Sequence, residues 1–240
     1  MAEYYPPLDW TRHRLHAAVA SGNTAEVERL VASGCDVNEH LLETLDETVG
    51  VAGTPLHVAI CTCRVDNAPD ANFRPYRDHH RIVDVLLAAG ADIGLRRKWS
   101  GTPVHDAARN GLLHIAGRLV SYGADINSKN DWLARTPLHF AAAHNQTKFA
   151  EWLLSKGAAV VAVSRLTLSP ESCYPIPFDT GTPLHFAAKR GHVAMVKLLV
   201  NAGATLDVSR AVELAVRSRN TFDEVVALLE RHSLTPPPSG

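Results

Sequence analysis

The sequence has no excess of charge of either sign and no long apolar run. It contains 24 lysines and arginines against 25 aspartates and glutamates in 240 residues, a net charge of -1 with histidine neutral. Binding to nucleic acid or to an anionic membrane surface is favoured by a marked positive excess, so neither partner is expected. A membrane-spanning helix needs about 18 or more consecutive apolar residues, and no stretch approaches that length.

Cysteine is also scarce. The four cysteines, Cys35, Cys61, Cys63 and Cys173, are too few and too unevenly spaced for a disulfide framework. Free thiols persist in reducing compartments. The opening segment MAEYYPPLDW shows no basic stretch followed by an apolar run, which a secretory leader would have. We therefore expect a cytoplasmic or nuclear protein.

The common sequence signatures of catalysis are absent as well. The chain contains no G-x-S-x-G, H-E-x-x-H, G-x-x-x-x-G-K or G-x-G-x-x-G motif and no EF-hand spacing. These are the usual signs of nucleophilic, zinc-hydrolase, nucleotide and calcium chemistry. We expect no bound metal and no cofactor.

The chain instead carries an internal repeat. The motif Thr-Pro-Leu-His, once with Val in place of Leu, occurs four times and is followed each time by alanines, then an apolar pair and Gly-Ala. The copies begin at Thr54, Thr102, Thr136 and Thr182, with a partial copy at Leu15-His16. This order predicts units of helix, turn, helix and turn.

Local chemistry explains the pattern. Threonine can cap a helix by accepting a backbone N–H bond, and proline at the first helical position has the required φ and lacks a donor that would go unused. Val83, Leu86 and Leu87 give a second helix an apolar stripe. The left-handed helix stop is assigned to Gly90, Gly123, Gly157 and Gly203. No unit can bury its apolar faces alone, so stability must come from stacking.

On these motifs the chain resembles the ankyrin-repeat family over roughly residues 11–232. The resemblance implies an all-α solenoid of about six helix-turn-helix units with projecting β-turn fingers. In that family the motif histidine bonds locally to hold the finger. A structural role is thereby implied for His16, His57, His105, His139 and His185.

The expected repeats lie near residues 13–38, 54–93, 102–127, 136–160, 182–207 and 210–231. In repeat 1, His13-Arg14 replace Thr-Pro, and residues 1–10 are expected to cap that end. Repeat 6 lacks the motif, which is typical of a terminal capping repeat. Residues 233–240 are expected to form a flexible tail.

Three loop insertions lengthen the array. The motif histidines are 41, 48, 34 and 46 residues apart, against about 33 in a plain ankyrin array. The additional residues fall in three places: in the finger after Asn38, near 62–80 between the two helices of repeat 2, and at 160–180. Long insertions often border a binding face, but loop closure entropy grows slowly with length, so they are also tolerated without a function.

We assign candidate binding residues by counting positions from the motif threonine of each repeat. This count places them on the first, or inner, helix of a repeat or at the tip of a finger. Aromatic and arginine side chains are enriched in binding hot spots. The predicted partner-binding residues are Trp99, Arg109, Trp132, Arg135, Phe140, His144, Phe178, Phe186, Lys189 and Arg190. Each of them could instead fill a gap between repeats or face solvent.

An enzymatic alternative uses the same face of the array. Asp106, Arg109, His144 and Lys189 could face a pocket covered by the inserted loops, where an apolar lining would shift their pKa values. That arrangement would suit a small isomerase, dehydratase or cyclase acting on a small-molecule ligand.

Two narrower interpretations concern other residues. Cys61, Cys63, His79 and His80 are of zinc-ligand type beside the second insertion, but their spacing is unfamiliar and neighbouring side chains seldom converge. Asn38 and Asn127 lie in segments that resemble asparagine-hydroxylation targets, although ordinary finger asparagines are favoured. The sequence as a whole favours a monomeric, non-enzymatic adaptor that binds a protein or peptide through the groove of repeats two to five.

Overall fold

The computed structural model describes residues 13–41, 53–63, 76–97, 101–131, 133–164, 180–204, 207–217 and 223–234. These residues contain twelve α-helices, two isolated β-bridges and no strand, which confirms the all-α repeat fold. The helices are α1 (Arg14–Ala20), α2 (Thr24–Ala32), α3 (Pro55–Thr62), α4 (Tyr76–Ala88), α5 (Pro103–Asn110), α6 (Leu113–Ser121), α7 (Pro137–Ala143), α8 (Thr147–Ser155), α9 (Pro183–Lys189), α10 (Val193–Asn201), α11 (Val208–Arg217) and α12 (Asp223–Leu234). No helix in the described ranges is long and apolar enough to cross a membrane.

Residues 1–107 and 114–124 form a first compact unit. Within it α1 packs against α2 and α3, and α4 packs against α2 and α3. The first helices of neighbouring repeats therefore stack on each other, and so do their second helices. The layers meet over buried apolar side chains that include Val19, Leu30, Ile60 and Leu86. Full burial of one such side chain contributes roughly 1.5–3 kcal/mol.

Residues 108–113 and 125–240 form a second compact unit with the same layering. Here α9 packs against α7 and α11, while α10 packs against α8 and α12. Leu138, Phe149, Leu184, Leu199 and Leu229 are fully buried between the layers. Helices α11 and α12 make the last pair of this stack, and α12 continues to Leu234, two residues into the expected tail.

The helices begin and end as the motif predicts. Helices α3, α7 and α9 each follow an extended threonine N-cap, with proline at the start of the helix and a capping box between the threonine and the motif histidine. The second helices are followed within two residues by a glycine at positive φ. These values are 87° at Gly90, 97° at Gly123, 90° at Gly157 and 90° at Gly203.

Two of the insertions are closed at their base by backbone pairing. Leu41 and Gly53 exchange N–H···O bonds of 3.0 and 3.2 Å. The N–H of Ser164 donates to the carbonyl of Gly181 at 2.9 Å, and the N–H of Gly181 donates to the Ser164 hydroxyl at 2.9 Å. Each loop therefore leaves and returns at adjacent points. Residues 42–52 and 165–179 lie outside the described residues.

The second insertion is shorter than expected. Helix α3 ends at Thr62 and α4 already begins at Tyr76, so residues 76–80 are helical and not part of the loop. The expectation of a loop over 62–80 was wrong at its C-terminal end, because the amphipathic pattern of α4 extends further back. Residues 64–75 lie outside the described ranges.

Finger asparagines join consecutive repeats. The Asn38 amide donates to the carbonyl of Gly90 at 3.3 Å, and its oxygen accepts the backbone N–H of Asp92 at 2.7 Å. Asn127 donates to the carbonyl of Gly157 at 3.4 Å in the same way. These bonds give both asparagines a structural role.

Candidate functional site

Three buried motif histidines, His16, His57 and His139, each donate a hydrogen bond to a carbonyl at the start of the next repeat. His57 Nε2 lies 3.2 Å from the carbonyl oxygen of Gly101. A carbonyl can only accept, so Nε2 carries the proton, and Nδ1 accepts the backbone N–H of Thr54 at 3.3 Å. His139 donates in the same way to Gly181, at 3.0 Å. This geometry matches the structural role expected of the motif.

Burial keeps the His57 ring uncharged. Desolvation lowers the pKa of His57 to about 4; the carboxylate of Asp106 opposes this shift, while Arg97 and His40 reinforce it. The neutral Nε2–H tautomer satisfies both of its hydrogen bonds. This motif histidine therefore acts as a connector and not as a proton carrier near neutral pH.

Four of the predicted binding residues lie at the ends of inner helices in the second compact unit. Arg109 is in the last turn of α5, His144 caps the C-terminus of α7, and Lys189 and Arg190 end and cap α9. We call Arg109, His144, Lys189 and Arg190 the basic surface. Arg109 and Arg190 are exposed, whereas His144 and Lys189 are half-buried.

Hydrogen bonds to helix-end carbonyls fix parts of the basic surface. Gln146 Nε2 donates to the carbonyl of Arg109 at 3.2 Å. Arg190 Nη1 donates to the carbonyl of Ala143 at 2.7 Å, and His192 Nε2 lies 3.3 Å from the same oxygen. Cations are favoured at helix C-termini, where the carbonyl ends carry partial negative charge.

Burial and the neighbouring cations both act on the pKa of His144, and burial has the larger effect. Burial, and then the nearby charges of Arg109, Arg190 and His192, lower the pKa of His144 to about 4. Helices α7 and α9 contain no acidic residue. The positive charges of the basic surface therefore disfavour a further proton on His144.

Phe186 was wrongly placed among the exposed binding residues. Its side chain is 4% exposed, with the ring edge-to-face against His139 at 5.6 Å between centroids. The Arg135 guanidinium lies 4.5 Å from the Phe186 ring centre. Such a contact is a cation–π interaction, and it makes Phe186 part of the packed interior. Phe140, on α7, is half-buried.

Asp106 was also wrongly placed on an accessible face. It is fully buried in the first compact unit and forms an ion pair of 2.8 Å with Arg97, which is itself only 10% exposed. Burying two charges is tolerated when they are paired. Asp106 therefore neutralises a buried arginine and cannot be the solvent-facing acid of the enzymatic alternative.

Several predicted residues lie outside the described part of the chain. These are Trp99, Trp132 and Phe178, together with most of the inserted loops that were expected to border the groove. Leu133, next to Trp132 in the chain, is buried with 5% exposure.

The cysteines and histidines beside the second insertion belong to helices and core. Cys63 is buried, which raises the pKa of its thiol to about 12, and His79 on α4 is 1% exposed. The exposed ring of His80 packs edge-to-face against His114, 5.6 Å away. Packing accounts for the positions of Cys63, His79 and His80.

Sequence reasoning missed one group of polar side chains. His13, His16 and Glu39 have one nitrogen or oxygen each within 4.8 Å of one another, the one such group of three or more among the described residues. A signal was present, because His13 occupies the position that threonine occupies in repeats 2 to 5. The 26 positions between His13 and Glu39 hid their proximity.

An open groove lies between α10 and α12 in the second compact unit. Its lining includes Lys197, Val200 and Leu228, and Lys197 Nζ pairs with Glu224 Oε1 at 3.2 Å. The groove contains none of the residues predicted for binding.

Comparison with known proteins agrees with this architecture. A family model described as ankyrin repeats (3 copies) matches residues 75–164, and one described as ankyrin repeat matches residues 181–210. Ankyrin repeat and SOCS box protein 5 of Mus musculus is 33% identical over 94 residues, which is 39% of this chain and 28% of that protein.

Two further relatives are similar over short shares of their own length. Ankyrin repeat and KH domain-containing protein mask of Drosophila melanogaster is 33% identical over 96 residues, 40% of this chain and 2% of that protein. Ankyrin repeat domain-containing protein SAT10 of Stachybotrys chartarum is 29% identical over 144 residues, 60% of this chain and 6% of that protein. The matched segments span less than a third of each of these three relatives. The two family models together cover half of this chain, which therefore belongs to the ankyrin-repeat family.

Proposed function

We propose that this protein is a non-enzymatic binding module that recognises an acidic segment of a protein or peptide through the basic surface. Ankyrin repeats are in general protein-interaction modules, and the four residues of the basic surface supply the chemistry for one class of partner. The observation that carries the proposal is that Arg109, His144, Lys189 and Arg190 lie at the C-terminal ends of three inner helices, of which α7 and α9 contain no acidic residue.

The arginines suit carboxylate recognition. A guanidinium presents its donors in a planar fork that matches a carboxylate, and such charge-assisted bonds are stronger than neutral ones. Arg190 is already steadied by one bond to Ala143, and the backbone of Arg109 is held by Gln146. A side chain that is already partly ordered, as that of Arg190 is, loses less conformational entropy on binding, which favours affinity.

The enzymatic alternative has less support. It loses its proposed acid, because Asp106 is fully buried and paired with Arg97. It also requires His144 to exchange a proton near neutral pH, whereas a pKa of about 4 leaves the ring neutral there. A general base works best when its pKa lies near the working pH.

We also propose that the protein works in a reducing compartment, the cytoplasm or the nucleus. Among the described residues, Cys35 and Cys63 are free thiols. Disulfides are rare in such compartments, so free thiols are compatible with them.

A random peptide library displayed on phage tests the binding proposal directly. The full chain should enrich peptides rich in aspartate and glutamate, and their affinity, measured by fluorescence anisotropy, should fall as salt is added. Replacing either Arg109 or Arg190 with Gln should weaken binding by about tenfold, equal to roughly 1.4 kcal/mol.

Arg217 supplies a matched control. It is exposed on α11 and pairs with Glu213 at 2.9 Å, so Arg217→Gln removes the same charge away from the basic surface. That variant should bind like the wild type. Enriched peptides without acidic residues, or equal losses in all three variants, would contradict the proposal.

A further inference from the structure

We propose that His13, His16 and Glu39 form a binding site for one divalent zinc ion in repeat 1. The site rests on geometry that is separate from the basic surface. The three residues offer one nitrogen or oxygen atom each, and these atoms all lie within 4.8 Å of one another.

The ligand distances suit a zinc centre. His13 Nδ1 lies 2.9 Å from Glu39 Oε1, and His16 Nδ1 lies 3.6 Å from Glu39 Oε2. Zinc bonds to histidine nitrogen and carboxylate oxygen are about 2.0–2.2 Å, which puts neighbouring ligands of a tetrahedral ion roughly 3.4 Å apart. Small side-chain movements reach that geometry.

The buried nitrogen of His16 is the independent observation that indicates a ligand. The His16 side chain is 0% exposed, and among the described residues its Nδ1 has no hydrogen-bond partner. In repeats 2, 3, 4 and 5 the equivalent nitrogen accepts the backbone N–H of the motif threonine at 3.0–3.3 Å. A buried polar atom without a hydrogen-bond partner destabilises the folded protein. A metal ion that accepts the lone pair of His16 Nδ1 would remove this destabilisation.

The tautomer of His16 is already the one that binds metal. Its Nε2 lies 3.1 Å from the carbonyl oxygen of Gly53, which can only accept, so Nε2 carries the proton and Nδ1 carries the lone pair. Metal-bound histidines commonly donate their other ring N–H to a backbone carbonyl in this way. The bond to Gly53 thus orients the ring.

Zinc binding requires no net gain or loss of protons by the three side chains. In the metal-free protein the His13–Glu39 contact is a hydrogen bond between Nδ1 and the carboxylate. On binding, the His13 proton moves to Nε2 and Nδ1 takes the ion, while Glu39 coordinates as a carboxylate. Water completes the tetrahedron as the fourth ligand, as it does at zinc sites with three protein ligands. The ion would join the start of α1 to the finger at Glu39.

Titration of the full chain with zinc chloride, followed by calorimetry, tests the site. We expect one zinc ion per chain, and cobalt(II) chloride should give the visible absorption of a tetrahedral complex. The decisive variant is His13→Thr, which introduces the residue that repeats 2 to 5 carry at this position and so retains the fold. It should weaken zinc binding at least tenfold, as should Glu39→Gln, with the helical circular dichroism signal unchanged.

His114→Gln is the control, because it disrupts the pair with His80 elsewhere on the surface. This variant should bind zinc like the wild type. The proposal is overturned if the wild type takes up no zinc at micromolar free metal. Unchanged binding in His13→Thr, or loss of binding in His114→Gln, would overturn it as well.

Discussion

The Nε2 atom of His139 donates a hydrogen bond of 3.0 Å to the carbonyl oxygen of Gly181, 42 positions later in the chain. The next motif histidine, His185, lies close to the same glycine. A Cβ atom on Gly181 would lie 2.8 Å from Cγ of His185, and φ at this residue is 150°. Gly181, which has no side chain, therefore contacts the motif histidines of two consecutive repeats. These contacts determine how closely the two repeats pack.

Replacing Gly181 with Ala should lower the free energy of unfolding by roughly 2–4 kcal/mol, because strain from positive φ and overpacking against His185 both contribute. Gly157→Ala is the matched control. Its φ is 90°, but an added Cβ would meet no atom within 4 Å, so only the backbone cost of about 1 kcal/mol applies. Urea unfolding followed by circular dichroism measures both. Equal losses would show that the contact with His185 contributes nothing.

Stability should fall as the pH is lowered from about 6.5 to 4. The unfolded chain protonates His57 near its ordinary pKa of 6.5, whereas the folded protein does so only near 4, so acid favours the unfolded state. The contribution of His57 is fully present above pH 6.5 and falls by on the order of 3 kcal/mol across this window.

The groups that set this pKa are the surrounding core, Asp106, Arg97 and His40. Urea midpoints at several pH values measure the slope. His57→Asn keeps a donor and an acceptor but removes the titrating ring, so its slope should be shallower than that of the wild type. An identical slope would assign the acid sensitivity to other groups.

Asp106→Ala should destabilise the protein by about 3–5 kcal/mol, because Arg97 would remain buried without its counter-ion. The control is Asp84→Ala, which breaks the 2.7 Å pair with Arg118, in which both side chains are more than 40% exposed. Exposed pairs contribute about 0–1 kcal/mol. Thermal unfolding compares the two, and a small loss in Asp106→Ala would show that water reaches the Arg97 site.

His144→Gln separates the two function classes. In a binding module the exchange retains a polar side chain and removes no charge near pH 7, so peptide affinity should change by no more than about 1 kcal/mol. In an enzyme that uses His144 as a proton carrier, the same exchange should lower the rate by on the order of 10²-fold. Mass spectrometry of cell metabolites incubated with either form would detect a turnover lost in the variant, which would support the enzyme.

Deleting residues 208–240 should reduce solubility and stability together. The deletion removes α11 and α12, which pack against α9 and α10, and with them the buried side chains Ala211, Val225 and Leu229. A terminal repeat shields the apolar face of its neighbour. Size-exclusion chromatography should show aggregation. A truncated chain that stays monomeric with an unchanged melting temperature would remove the capping role.

The sequence was sufficient for the repeat, the helix starts and the role of the motif histidines. Each depends on residues within a few positions of one another, as in the capping box between Thr54 and His57. The same offsets place Arg109, His144, Lys189 and Arg190 at the ends of inner helices, because helix ends follow directly from the motif. Offsets from the motif did not reveal whether a side chain at a given position meets solvent or another repeat.

Tertiary structure decided the rest. Phe186 is covered by Arg135, which lies 51 positions earlier in the chain, and Asp106 is neutralised by Arg97 from the base of a finger. His13 meets Glu39 only because α1 and the finger that follows α2 fold together. Hydrogen bonding and helical periodicity are local and can be read along the chain, whereas burial and charge pairing depend on which distant groups the stacking of repeats brings into contact.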